Sequence, residues 1–302
     1  MKVLTIIISY NFEKWIRPCL DSLLHSTYQT EILVIDNGSK DRTIDLIKKD
    51  YPQVRIISNG NNLGFGQANN IGMRIALQER FDAVFLLNQD AWIEKDTLGT
   101  LAELTQRHPD FGILSPTHLN GKGDRLDKGF ASYTHTKSLS ELPQKEELAE
   151  AEFINAAFWF IPVSTLKTVG GFSPLFYHYG EDKDYINRLH FHGLKIGYSP
   201  RTCGCHDREY RQVTRKAFFR SEYVYLLSEY ANINRSYAKA FAYSVLACIK
   251  KSFLSLCRFN IKDCETYAFL SFKLILKDRK VRLIRHLTKE KQPHFITSLP
   301  SC

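Results

Sequence analysis

Short apolar runs rich in Val and Ile alternate with amphipathic helical segments from residue 3 to residue 115, and this alternation restricts the chain to an α/β fold. Residues 3–9 form a β-branched run of the kind buried in a parallel sheet. Phe12, Trp15, Ile16, Cys19, Leu20, Leu23 and Leu24 then recur at three- and four-residue spacing, which predicts a helix with one apolar face. Further strands are predicted over 31–36, 54–58, 83–87 and 111–115, and helices over 41–49, 66–78 and 96–107. This order implies a Rossmann-like, mostly parallel central sheet flanked by helices. In such sheets polar ligands sit beyond the carboxyl ends of the strands, so the polar residues there are the ones to inspect.

The pattern changes further along. Residues 121–144 are polar and punctuated by Gly, Ser and Thr, which predicts a loop or hairpin. An apolar run over 153–163 contains Trp159, Gly170-Gly171 marks a turn, 181–191 has helical spacing, and 194–198 reads as a short strand ending at Pro200. From residue 216 onward the spacing is helical, with no strand signal. Charge divides the chain at nearly the same place. Residues 211–302 carry 18 Lys and Arg against 6 Asp and Glu, a net +12, whereas residues 1–210 carry 23 against 26, a net −3. The expected organisation is therefore an α/β domain over 1–215 and a basic amphipathic helical region over 216–302.

Seven cysteines, an odd number scattered through 302 residues, fit a reducing cytoplasm better than a disulfide framework. The apolar start is too brief for a signal peptide, and the charge-free run over 240–249 is too short to cross a bilayer.

Several polar clusters fall at predicted strand ends. Asp36-Asn37-Gly38-Ser39-Lys40-Asp41 follows the second strand, where it can present a carboxylate or simply make a strand–turn–helix junction. Asn88-Gln89-Asp90 follows the fourth, where a lone carboxylate can ligate Mg²⁺ or Mn²⁺ but taken alone reads better as a solvated turn acid. Residues 62–72 approach the glycine-rich dinucleotide fingerprint. Asn69 stands at its third glycine, however, and the stretch belongs to the third βα junction, so a nicotinamide-dependent dehydrogenase fits poorly. Gly180-Glu181-Asp182-Lys183-Asp184 opens a helix whose acids complement its dipole. Helical spacing nevertheless sets Asp182 on a different face from Glu181 and Asp184, leaving one carboxylate to point into a cleft as a base. Cys203-Gly204-Cys205-His206 lacks the second pair that a structural zinc needs, although His206 alone can ligate a metal or phosphate.

Taken in order, Ser9-Tyr10-Asn11, Asp36 to Asp41, the Asn62-Leu63-Gly64-Phe65-Gly66 stretch, Asn88-Gln89-Asp90, Gly170-Gly171-Phe172, Glu181 to Asp184 and His206 resemble the family 2 inverting glycosyltransferases of GT-A fold. The Asn-Leu-Gly-Phe-Gly stretch is most similar to their rhamnosyltransferase and galactofuranosyltransferase branch. The resemblance covers about residues 1–215 and implies roles for matching positions. Tyr10 stacks on the nucleobase, Asp36 hydrogen-bonds it, and Asn62 and Asn69 line the nucleotide-sugar pocket. Asp90 matches the last acid of the family's Asp-X-Asp metal motif, in which Asn88 replaces the first Asp. Asp182 matches the catalytic base and His206 a late metal or diphosphate ligand.

The implied activity is transfer of a sugar, rhamnose in that branch, from a dTDP- or UDP-sugar to a glycan or lipid-linked glycan acceptor with Mg²⁺ or Mn²⁺. Two rivals are a nucleotidyltransferase, for which the first junction lacks a glycine-rich loop, and a non-catalytic glycan- or membrane-binding relative, which Asn88 alone favours. The basic tail reads either as a helical cap with a solvated face or as an interfacial element for an anionic membrane, placing the protein on the inner face of the cell membrane. No nucleic-acid recognition motif accompanies the charge.

Overall fold

The Val- and Ile-rich start of the chain forms β1 (Val3–Ser9), whose alternating residues enter two separate cores: Val3 and Ile7 pack on one face of the sheet, Leu4 and Ile6 on the other. The computed structural model describes residues 1–143, 145–208 and 214–296; Gln144, the far end of the expected polar loop, and Cys302 lie outside the described residues. After a 3-10 turn, α1 (Ile16–Leu24), β2 (Glu31–Asp36), α2 (Thr43–Asp50), β3 (Arg55–Ser58), α3 (Phe65–Gln78) and β4 (Ala83–Asn88) follow the predicted alternation. β1 lies between β2 and β4 and runs parallel to both, and β3 extends the parallel set.

Beyond β4 the sheet becomes mixed. The chain continues through β5 (Ala91–Ile93), α4 (Thr97–Arg107), β6 (Phe111–Asn120), α5 (Lys128–Thr134), β7 (Ala149–Ala151), β8 (Phe158–Pro162), α6 (Val163–Val169), α7 (Glu181–Phe191) and β9 (Lys195–His206). The strand order is β3-β2-β1-β4-β8-β6-β9-β5, with β7 on the edge of β9. β8 is antiparallel to β4 and β6, while β9 is parallel to β6 and antiparallel to β5 and β7. The predicted parallel arrangement therefore holds for the first four strands and gives way to a mixed sheet.

Two local expectations change. The 121–144 stretch is not all loop: Asp127 accepts hydrogen bonds from Gly129 N (2.8 Å) and Phe130 N (3.0 Å), an N-cap that starts α5. β9 does not end at Pro200. Its pairing with β6 passes from Pro116–Ser199 to Thr117–Cys203, so Pro200, Arg201 and Thr202 bulge out and the strand resumes as far as His206.

The C-terminal region is helical, as expected: α8 (Arg215–Ala231), α9 (Tyr237–Cys257), α10 (Ile261–Leu276) and α11 (Asp278–Leu287). Its core, built from Leu226, Leu227, Tyr230, Val245, Cys248 and Leu274, also takes in Leu175 and Phe176 from the preceding region. The chain then returns to the sheet domain. His294 O accepts from Gly171 N at 2.8 Å, Ile296 O accepts from Arg74 Nε at 2.6 Å, and the Ile296 side chain joins the core beside α3. α9 has 21 residues and is, by length and composition, long and apolar enough to cross a membrane, which the short charge-free run within it conceals.

Candidate active site

The ends of the parallel strands form the floor of a first compartment of about 440 Å³, lined by Ile8, Tyr10, Asn37, Asn62, Gln89 and Tyr177 among others. Gln89 sets the Tyr10 loop, accepting from Tyr10 N at 2.8 Å and donating to Tyr10 O at 3.2 Å. Asn11 ties the first loop to the second: its backbone N–H donates to Ser39 Oγ at 2.9 Å, and its side-chain oxygen accepts from Lys40 N at 2.9 Å. Anchored on both sides, Tyr10 remains 45% exposed, which leaves its ring open to stacking on a planar ligand. Asn62 Oδ1 accepts from Gly64 N at 2.8 Å and shapes the entry to α3.

A second compartment of about 620 Å³ shares Phe65, Asn88, Asp90 and His178 with the first, so Asn88 and Asp90 stand at the waist between them. β5 turns back from Asp90 and pairs antiparallel with the end of β9, Ala91 opposite His206. That register brings His206 Nε2 to 3.2 Å from Asp90 Oδ1 and 3.4 Å from Asn88 Nδ2. Asp207 locks the strand end, its backbone N–H donating to Asp90 O at 2.8 Å. Its carboxylate accepts from Trp15 Nε1 (2.8 Å) and Lys14 Nζ (3.1 Å), and those two donors hold it below the usual carboxylate range.

Among the described residues no three His, Cys, Asp or Glu side chains converge into a ready-made metal cage. One carboxylate, one imidazole and a neighbouring amide suit a divalent ion such as Mg²⁺ or Mn²⁺, which keeps positions open for phosphate oxygens and water.

Across the second compartment, Asp182 and Glu181 project from the first turn of α7. Gly180 precedes them with φ +86°, a left-handed conformation that leaves room for Phe176 and Val224, so a side chain there would clash. Burial pushes the Asp182 carboxyl up, against the opposing pull of the Lys183 backbone N–H, which donates to Asp182 Oδ1 at 2.8 Å. Glu181 is only 6% exposed, and burial together with the neighbouring Asp182 charge raises its carboxyl to about 7. Among the described residues its Oε2 has no hydrogen-bond partner, nor has Asn155 Oδ1 in the same cleft. Asp184 turns away, as its spacing predicts for a residue off the Asp182 face, and forms a buried ion pair with Arg188 Nε at 2.9 Å. Glu181, predicted to face away with Asp184, instead shares the cleft with Asp182.

Tyr10, Asn62, Asn88, Asp90, His206 and Asp182 thus meet in one continuous cleft, and two predicted residues do not. Asp36 is 1% exposed and its carboxylate is fully engaged, Oδ1 by Ser9 Oγ and Ser39 Oγ, Oδ2 by Gly38 N and Ser39 N. With four acceptor positions filled it organises the loop instead of reaching a base. Asn69 is equally buried and donates to Phe65 O at 3.0 Å inside its own helix. The residues that sequence reasoning missed are Trp15, Gln89, Tyr133, Asn155, His178, Arg208 and Arg220. Only Gln89 and Arg208 carried a signal, as neighbours of Asp90 and His206.

The chain is 26% identical over 228 residues to the low-salt glycan biosynthesis hexosyltransferase Agl10 of Haloferax volcanii, covering 73% of this chain and 71% of the relative. It is 36% identical over 104 residues to an uncharacterized glycosyltransferase of Haemophilus influenzae, a match to 31% of each chain. Among solved structures, the mannosyltransferase PcManGT from Pyrobaculum calidifontis, in complex with GDP-Man and Mn²⁺, superposes with a TM-score of 0.55 at 16% identity, over 95% of this chain and 83% of that one. TarS 1–349 of Staphylococcus aureus in complex with UDP-GlcNAc gives 0.54 at 14% identity, over 93% and 92%. These likenesses establish the GT-A fold. Residues 5–169 match the family described as glycosyl transferase family 2, and the chain belongs to that family.

Proposed function

We propose that the protein is an inverting glycosyltransferase that moves a hexose from a nucleoside-diphosphate donor, a dTDP- or UDP-sugar, to a hydroxyl of a glycan or lipid-linked glycan. The observation that carries this reading is the two-compartment cleft, with Asp90 and Asn88 at its waist and Asp182 on the far wall. The first compartment fits the nucleoside, with the Tyr10 ring as stacking partner. The second fits the transferred sugar and the acceptor, whose hydroxyls find the unpartnered Asn155 Oδ1 and Glu181 Oε2.

Asp182, made a stronger base by burial, takes the proton of the acceptor hydroxyl as its oxygen bonds to the anomeric carbon. The bond from that carbon to the diphosphate breaks on the opposite face, and the nucleoside diphosphate leaves with the electron pair. Asp90 and His206, with the Asn88 amide, would hold a Mg²⁺ or Mn²⁺, which when bound supplies positive charge for the leaving diphosphate.

The test is a panel of dTDP-rhamnose, UDP-galactofuranose, UDP-glucose, UDP-galactose and UDP-N-acetylglucosamine, each with Mn²⁺ or EDTA, followed by thermal shift and slow donor hydrolysis. The expected result is stabilisation by one donor in the presence of metal, retained by Asp182→Asn while hydrolysis drops by about 10²–10⁴-fold. Absence of any response to every donor, or full turnover by Asp182→Asn, would overturn the reading.

A further inference from the structure

α9 and α10 form an antiparallel hairpin whose inner sides are buried, Ala240, Val245 and Cys248 on α9 against Tyr267, Leu270 and Leu274 on α10. Among the described residues nothing covers the outer sides, which are apolar. On α9, Leu246, Ile249, Phe253 and Leu256 recur at helical spacing and are each about half exposed or more; on α10, Ile261, Phe269, Phe272 and Leu276 do the same. A contiguous apolar surface of this kind marks an interaction site.

The turn joining the helices is the most informative point. Phe259 is 93% exposed and sits at φ +57°, the left-handed position after a helix that glycine or asparagine usually fills. A bulky aromatic ring in a disfavoured backbone conformation, with almost no protein around it, does not serve the fold.

Charge identifies the occupant. The hairpin itself, residues 237–276, carries 6 Lys and Arg against 2 Asp and Glu. By helical spacing Lys250, Lys262 and Lys273 flank the two apolar stripes, an arrangement in which ammonium groups reach lipid phosphates while the apolar face sinks. We infer that the α9–α10 hairpin inserts its outer face, led by Phe259, into the headgroup–acyl boundary of an anionic bilayer.

The hairpin lies in the interface and does not cross it, because a spanning α9 would have to leave its packing on α8 and α10. The inference is independent of the transfer reading, since lipid binding is measured without donor or acceptor and Asp182→Asn is expected to bind as the wild type does.

The test is co-sedimentation of the full chain with vesicles of phosphatidylcholine alone or mixed with phosphatidylglycerol, at low and high salt. Wild-type protein is expected to pellet with the anionic vesicles, to be partly released by salt, and to be washed off at alkaline pH, as a spanning protein is not. Replacing Lys250 and Lys262 by Gln should weaken partition at low salt about fivefold each. Phe253→Ser with Leu276→Ser should weaken it at least tenfold. Phe259→Gly should also reduce binding while leaving thermal stability unchanged or higher, a combination that a merely structural turn residue would not give. Failure of wild-type protein to pellet, undiminished pelleting of these variants, resistance to the alkaline wash, or self-association through the hairpin without lipid binding would each overturn the inference.

Discussion

His206 Nε2 lies 3.2 Å from Asp90 Oδ1 although 116 residues separate them, and the contact exists because β9 resumes beyond Pro200 and pairs with β5, Ala91 opposite His206. Asn88 brings an amide in place of a second charge. On the proposed reading, the ion at the waist would rest on Asp90 and His206, with the Asn88 amide as an uncharged third ligand. Asp90→Asn and His206→Ala should each lower donor turnover by about 10²–10³-fold and weaken Mn²⁺ binding, read by calorimetric titration with a nucleoside diphosphate present. Restoring the missing acid, Asn88→Asp, should tighten Mn²⁺ binding. Mn²⁺ affinity indifferent to all three changes would remove these residues from the metal site.

Glu181 gives the molecule a titration that stability measurements can see. Its carboxyl is raised from 4.5 to about 7, so folding favours the protonated form. The sign follows from linkage: that contribution is fully present below pH 4.5 and is lost as pH rises through about 7, where the buried group must ionise. Glu181→Gln removes the penalty. The variant should be the more stable protein at pH 8, by up to about 3 kcal/mol, with the advantage gone near pH 4. Chemical denaturation at both pH values checks this, and a pH-independent difference would place the cause elsewhere.

What the sequence made legible was local. β1 to β4 and the helices between them follow from residue periodicity, because each element is specified within its own segment. The Asp127 cap of α5 was local too and available to inspection, but the Gly and Ser around it favoured a loop reading. The misplaced details depend on how each polar side chain is satisfied once the turn or helix around it has closed. Asp36 is at a strand mouth, as expected, yet its saturation comes from Ser9 directly opposite on β1 and from Ser39. Asn69 belongs to a motif that lines the cleft at Asn62, but seven residues further on, within α3, its side chain is buried in the protein. The waist itself was legible only as a set of residues; its geometry required the antiparallel return of β9, which no periodicity announces.

Asn70 joins the donor side of the cleft to the loop before α7. Its Oδ1 accepts from Phe172 N at 2.7 Å and its Nδ2 donates to Phe172 O at 2.9 Å, both in buried surroundings. Asn70→Ala strands the Phe172 backbone donor and leaves its carbonyl only the long contact from Gln67 Nε2 at 3.5 Å, at a cost of about 1–3 kcal/mol. Phe172 also packs against Trp159 and Tyr185, so the loss should reach α7 and lower turnover as well as the melting temperature. Hydrogen exchange around residues 170–185 is the direct measurement. Protection there equal to wild type, with only a lower melting temperature, would confine Asn70 to a stabilising role.

At Gly64 the stretch leading into α3 lies against the main chain of Tyr177. Its φ is +81°, and a Cβ at this position would lie 2.0 Å from the carbonyl oxygen of Tyr177. Both facts exclude a side chain, and the second cannot be relieved by trimming Tyr177, because the obstacle is backbone. Gly64→Ala must therefore move the Tyr177 segment or the start of α3, each of which lines the first compartment. The expected outcome is a loss of about 1–3 kcal/mol in stability together with weaker donor binding, and Gly64→Ala with Tyr177→Ala should recover neither. Recovery in that double variant would show that the side chain, and not the main chain, sets the spacing of the two segments.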